Sequence, residues 1–264
     1  TYLNPGIKYF LGKAAHKIIE LTSIFTPQKN IIKNYSHFEK SDPFKIGDMT
    51  ITPFWMDHSA FDSYAFLIES YGKKIFYSGD FRGHGRKHKS FKWLRHNAPA
   101  NVDYLLMEGT QVERKTIKDK TESEIEIELI DIFSGNDQLN LVYASGQNID
   151  RLVSIYRACK RTGKLFVVDV YTATVLKSLS KFAAIPHPSR EFNDIKVIYP
   201  YFLCKRLSNE NNEKILYKFR NYKITKEEIR MNKHNIVMTA RPSMKFDLDH
   251  ISDIDGGNFV YSLW

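Results

Sequence analysis

Apolar and polar positions recur with two different periods along this chain. Leu11, Ala15, Ile18, Thr22 and Phe25 are spaced alternately by four and three, which predicts a helix over residues 11–25 that Pro27 ends. From residue 44 to 54 the character alternates around Ile46, Met49, Ile51 and Pro53, which predicts strands about a Gly47-Asp48 turn. Residues 64–68 and 74–77 are β-rich runs joined through Ser70-Tyr71-Gly72, a hairpin. Residues 90–96 read as a short helix and 102–107 as a buried strand.

Beyond this the rhythm changes. Thr121-Glu122-Ser123-Glu124 resembles a capping box opening a helix over 121–133. Strands over 139–144, 165–168 and 195–199 then alternate with helices over 149–160 and 173–182. Residues 205–233 are polar and helical in composition, and 236–239 and 259–263 read as further strands. Strands and helices alternating at this length imply a parallel sheet covered on both faces. Two domains are expected. Residues 1–111 are strand-dominated and residues 112–264 are βαβ-like, with the basic stretch 114–120 as a linker.

Composition narrows the class. With 264 residues, 42% hydrophobic and 26% charged, the chain reads as folded and globular rather than disordered. The net charge of +9 suits a polyanion such as nucleic acid, or an anionic membrane face; a lysine-rich solvated surface is the alternative. No apolar run reaches the roughly 18 to 20 residues of a membrane span. The two cysteines, Cys159 and Cys204, form no C-x-x-C pair, and read as reduced thiols of a cytoplasmic protein, with a single disulfide left open. The first residues carry no signal pattern and no initiator Met, and the chain ends in an apolar run over 258–264, so both ends read as cuts inside a longer protein.

Candidate chemistry clusters in the first half. His58 follows a predicted strand in Met56-Asp57-His58-Ser59, and Asp80 follows the hairpin in Ser78-Gly79-Asp80-Phe81-Arg82. Side chains at strand ends can meet on one rim, and a histidine with a carboxylate there can bind a divalent metal. The alternative is a buried histidine and a turn aspartate. Arg82, Arg86, Lys87, His88 and Lys89 follow directly and could hold substrate phosphates, or form a solvated loop. Arg151, near a predicted helix start beside Ser145 and Asn148, and Arg241, before Pro242-Ser243, are further candidate phosphate contacts. Asn148 or Ser145 is also an ordinary N-cap.

Asp57-His58-Ser59 followed by Tyr77-Ser78-Gly79-Asp80-Phe81-Arg82 resembles the third and fourth metal motifs of the metallo-β-lactamase superfamily. The resemblance implies that His58 binds a metal and that Asp80 bridges two zinc ions. Met107-Glu108-Gly109-Thr110 is similar to the strand end that opens the β-CASP region, where an acidic residue orients a catalytic histidine; Glu108 stands at that position. Ser145–Arg151, residues 168–173 and Ala240-Arg241-Pro242-Ser243-Met244 look like the inserted βαβ domain of ribonuclease J-like relatives. The implied fold is α/β, a partial metallo-β-lactamase αββα sandwich followed by a β-CASP-like domain with a parallel sheet.

The implied activity is metal-dependent hydrolysis of phosphodiesters, with RNA or another nucleic acid as partner, no membrane, and a homo-oligomer left open. The chain departs from that family in having no His-x-His anywhere and none of the family's late histidines. Two protein ligands do not close a zinc site, so this chain by itself is expected to be inactive and its parent active. A metallo-hydrolase of small esters or thioesters, and a nucleic-acid-binding module without catalysis, are the alternatives.

Overall fold

The computed structural model describes residue 4 and residues 6–27, 31–109, 119–135 and 137–263. Most of the stretch read as a linker, residues 114–118, lies outside the described residues, as do Thr110 and Trp264. The chain divides into two compact units, Thr1–Glu20 with Asn30–Glu122, and Leu21–Lys29 with Ser123–Trp264.

The first unit begins with strand β1 (Tyr9–Leu11) and helix α1 (Lys13–Phe25), whose last turn belongs to the second unit. The helix starts two residues later than its periodicity predicts. The Asp62 carboxylate accepts the Ala15 N–H at 2.9 Å, and a Cβ on Gly12 would lie 2.1 Å from Asp62 Oδ2, so the carboxylate occupies the helix entrance. The buried face also differs. Ala14, His16, Leu21, Ser23 and Phe25 are buried, whereas Ala15, Ile18 and Thr22 are only half-buried.

Strands β2 (Tyr35–His37), β3 (Phe44–Ile46), β4 (Met49–Trp55), β5 (Tyr64–Ser70) and β6 (Lys73–Tyr77) follow, then helix α2 (His88–Asn97) and strand β7 (Tyr104–Leu106). β2 pairs in parallel with β1. The other five form a mixed sheet in the order β3-β4-β5-β6-β7, antiparallel except for the last pair. The β5–β6 hairpin turns through Tyr71 and Gly72, both at positive φ (47° and 72°), as a two-residue turn matching strand twist requires. Phe54, Met56, Ala65, Leu67, Phe76 and Leu94 form the core beneath it. The strand expected to be buried over 102–107 is shorter and is exposed along its whole length as β7. Its apolar side chains suffice for a strand, but among the described residues it is an edge strand with β6 as its one sheet neighbour.

The second unit contains helix α3 (Glu122–Ser134, its first residue assigned to the first unit), strand β8 (Asn140–Tyr143), helix α4 (Ile149–Arg161), strand β9 (Leu165–Asp169), helix α5 (Val170–Leu179) and strand β10 (Ile195–Ile198). The polar stretch after β10 holds three short helices, α6 (Tyr201–Asn209), α7 (Glu213–Tyr217) and α8 (Lys226–Met231). Strand β11 (Ile236–Thr239), helix α9 (Lys245–Leu248) and strand β12 (Asn258–Tyr261) complete it. All pairings are parallel, in the order β10-β9-β11-β8-β12. The central strands are near-continuous apolar runs, as a sheet covered on both faces demands. The architecture is therefore α/β, with a five-stranded mixed sheet and the small parallel β1-β2 pair in the first unit and a five-stranded parallel sheet in the second. Among the described residues no helix is long and apolar enough to cross a membrane.

Candidate functional site

In the first unit, β4, β6 and β7 all deliver their following residues to one rim. Residues 56–58 follow β4, residues 78–82 follow β6, and residues 107–108 follow β7. The Ser78 N–H donates to the Leu106 carbonyl at 2.9 Å, which extends the β6–β7 pairing into the Ser78-Gly79-Asp80 loop. Gly79 turns that loop at φ +58°, and a Cβ there would lie 2.8 Å from the Tyr64 carbonyl oxygen. A side chain at residue 79 is thus excluded both by backbone conformation and by space.

His58, Asp80 and Glu108 come together at this rim. Burial holds the His58 pKa below its ordinary value; Asp80 opposes this most, Arg82 and Lys87 add to it, and Glu108 opposes it. A neutral imidazole is the form that ligates a metal. His58 Nδ1 receives the Ala60 N–H at 3.2 Å. Glu108 Oε1 accepts the Phe81 N–H at 2.9 Å, and the Glu108 N–H donates to Ser78 Oγ at 3.3 Å. Glu108 therefore holds the Phe81 backbone after Asp80 through its carboxylate and the Ser78 hydroxyl before it through its own N–H. Among the described residues, no hydrogen bond or ion pair holds the Asp80 carboxylate itself, and no group of three or more His, Cys, Asp and Glu side chains gathers as metal ligands.

The basic residues after Asp80 have structural engagements. Lys87 Nζ donates to the carbonyls of His58 at 2.8 Å, Ala60 at 2.9 Å and Phe61 at 3.4 Å, fastening the loop that carries His58. Arg82 faces the buried Glu122 carboxylate at 3.7 Å, and its N–H donates to the Asp57 carbonyl at 2.6 Å. Arg86 is half-buried in the same loop. Asp57 is a residue that motif reading passes over. It is fully buried, and its Oδ2 accepts the Gly85 N–H at 2.9 Å. Its place immediately before His58 is the one signal that could have drawn attention to it.

Arg151 and Arg241 lie in the second unit. Arg151 is buried, and its Nη1 donates to both the carbonyl and the hydroxyl of Ser262. Asn148 is the N-cap of α4, its Oδ1 accepting the Arg151 N–H at 3.2 Å. Arg241 follows β11 and keeps 22% of its side chain exposed, with Nη1 3.0 Å from the buried Asp169 carboxylate. Its guanidinium lies 5.2 Å from the Tyr171 ring centroid and also donates to Thr172 Oγ1 at 2.5 Å. A Cβ on Gly146 would lie 2.6 Å from Arg241 Nη2, so this glycine admits the arginine. Both cysteines are free thiols, Cys159 buried and Cys204 half-buried.

No family model matches the chain, and no curated protein matches it in sequence. Solved structures do match, among them one described as a protein of unknown function from Enterococcus faecalis V583. It is 18% identical with a TM-score of 0.71, a likeness of fold, and the match covers 100% of this chain. The chain spans 65% of the length of that protein chain.

Proposed function

We propose that the rim of the first unit is part of the metal centre of a metallo-β-lactamase-fold hydrolase of the β-CASP type, cleaving RNA phosphodiesters in the whole protein. The observation that carries this reading is the meeting of His58, Asp80 and Glu108 at the ends of β4, β6 and β7. These residues are singled out by motif resemblance and separated by tens of positions, and the charges of Asp80 and Glu108 both act on His58.

The donor set suits zinc in kind. A desolvated neutral imidazole and a carboxylate are its ordinary nitrogen and oxygen ligands. It falls short in number, because a hydrolytic zinc site takes about three protein ligands and a water. His58 and Asp80 are two, so the residues present do not by themselves complete a hydrolytic zinc site. When bound, a zinc pair would supply an activated water and charge stabilisation. The chain's own residues orient. Lys87 fixes the His58 loop, Gly79 turns Asp80 onto the rim, and Glu108 holds the Asp80 loop through the Phe81 N–H. RNA suits the net charge of +9 better than a small neutral ester does. In the second unit Arg241 is the remaining candidate for a phosphate, since Arg151 is buried.

Zinc titration of the purified chain, followed by NMR of the histidine rings, tests this. The His58 resonances should shift or broaden at lower zinc than those of any other histidine, and Asp80→Ala should remove that preference. An RNA oligonucleotide should bind at low salt and be released as salt rises. A His58 ring indifferent to millimolar zinc would sink the metal-centre reading, and RNA binding that survived beside it would favour a non-catalytic binding module.

A further inference from the structure

The carboxyl end of β10 opens into a cavity of about 410 Å³ within the second unit. Tyr199, Tyr201 and Cys204 line it together with Lys205, Lys223 and Lys226. The volume falls in the range of about 300–1,000 Å³ typical of small-molecule sites. The cavity lies outside the carboxyl end of β10, among the described residues an edge strand of the parallel sheet.

Local folding assembles these six residues. β10 runs into Pro200, the N-cap of α6, which carries Tyr201, Cys204 and Lys205. The chain returns through a tight turn at Arg220–Tyr222, and Lys223 then lies beside Val197 as a parallel bridge, with the Ile224 N–H donating to the Val197 carbonyl at 3.0 Å. Lys226 opens α8 directly after the Thr225 capping box. The Tyr199 hydroxyl donates to the Leu216 carbonyl at 2.7 Å, which fixes its ring as a wall.

The charge in the cavity is unbalanced. Asp247, also in its lining and 1% exposed, accepts the Tyr201 N–H at 3.1 and 3.2 Å on its two oxygens and pairs with Lys226 at 3.0 Å. One carboxylate therefore answers one lysine. Among the described residues, Lys205 and Lys223 form no ion pair. Each instead stands over an aromatic face, Lys223 Nζ 5.4 Å from the Tyr199 ring centroid and Lys205 Nζ 5.9 Å from that of Tyr201. A simple inorganic anion would draw the two ammonium groups off the rings and leave those faces uncovered. An apolar ligand would cover the faces and leave the lysines unanswered. A ligand with both a phosphate and a flat ring satisfies both.

We propose that this cavity binds a nucleoside phosphate, free or as one nucleotide of an RNA strand, with its phosphate on Lys205 and Lys223 and its base against the tyrosine faces. The proposal does not rest on the metal centre, and no metal takes part in its test.

Cys204 provides the readout. It is the thiol that lines the cavity, whereas Cys159 is buried and silent in the native fold. Burial foremost, with Asp247, pushes the Cys204 pKa up to about 11. Alkylation by iodoacetamide is therefore followed at a pH of about 9, where the thiolate fraction suffices for a measurable rate. Adenosine monophosphate should slow the alkylation of the purified chain saturably, and adenosine or inorganic phosphate should each protect less well. Cys204→Ser should abolish the signal. The double substitution Lys205→Glu and Lys223→Glu, at two exposed positions, should weaken protection by about tenfold or more. Calorimetry with the same ligands gives the affinities directly. Protection by a short oligoribonucleotide alone would support the strand-bound form, and protection by the free nucleotide the mononucleotide form. No protection by either, protection unchanged by the charge reversals, or inorganic phosphate protecting as well as the nucleotide would each overturn the proposal.

Discussion

β11 and β7 are both short apolar strands, Ile-Val-Met-Thr and Tyr-Leu-Leu, yet β11 is buried at all four residues and β7 exposed at all three. β11 lies between β9 and β8 in the middle of a parallel sheet, while among the described residues β7 has β6 alone beside it. The two units differ in the same way. The second buries near-continuous apolar strands at its centre. The first has an antiparallel core that buries one face and a rim that gathers charge. An apolar run marks a strand, and what packs around it decides whether that strand is core. Stability is therefore expected to concentrate in the second unit and chemistry at the edge of the first.

The largest effect should come from the buried sheet. Phe166 in β9 is 1% exposed, and Phe166→Ala should destabilise the chain by about 3–5 kcal/mol through lost burial and a residual cavity. Leu105 in β7 is 57% exposed, and Leu105→Ala should stay within about 0.5 kcal/mol. Urea unfolding of both variants checks the contrast. Comparable losses would mean that β7 is covered in solution and that the comparison fails.

Gly79→Ala should be intermediate, at about 1–3 kcal/mol, because it forces a side chain into positive φ and towards the Tyr64 carbonyl. Its sharper signature is local. The Asp80 loop must shift, so the His58 ring should lose the influence of Asp80 in an NMR titration. An unchanged His58 titration would show that the glycine does not position Asp80.

The smallest effect is on pH dependence. Burial lowers the His58 pKa while Asp80 raises it, so Asp80→Asn should lower it further, as read by NMR. A histidine whose folded pKa is depressed binds fewer protons folded than unfolded between the two values. Its contribution is fully present above the ordinary pKa of about 6.5 and is lost as pH falls towards the folded value. Asp80→Asn should extend that loss to lower pH. A His58 pKa that rose in this variant would mean Asp80 does not face the ring.

Much of the secondary structure was legible because it is local. The two-residue turn at Tyr71-Gly72 and the alternation around it make the hairpin plain, and the 3.6-residue period marks α4. Errors arose where distant groups intervened. Asp62 meets α1 at its entrance from 47 positions away in sequence. α5 begins at Val170 rather than near Ala173, because Asp169 ends β9 and at once caps the helix through the Thr172 N–H at 2.7 Å. Val170 is β-branched and apolar, so its own propensity argues for strand. The stretch over 205–233 is helical in composition, but it is cut into separate short helices.

The candidate site was legible as residue types and not as roles. The resemblance singled out His58, Asp80 and Glu108, and the strand ends bring them to one rim. The same loop's Lys87 reads from sequence as a phosphate ligand, yet its ammonium is committed to backbone carbonyls 26 to 29 positions earlier in the chain. Arg151 is likewise buried against Ser262. A cation's freedom depends on which acceptors the fold brings within about 3 Å, and one-dimensional charge patterning does not contain that information.

What the sequence by itself determined was the set of local elements, their alternation in the second unit, and the candidate side chains that the strand ends then gather at one rim. These follow from side-chain periodicity, turn conformation and capping, all of which act over a few residues. Tertiary structure alone decided the order β10-β9-β11-β8-β12, the exposure of β7, the identity of the charges still free to meet a ligand, and the cavity at the end of β10. Each of these depends on pairing between segments far apart in the chain, where many arrangements satisfy the same local preferences and only the packed whole selects among them.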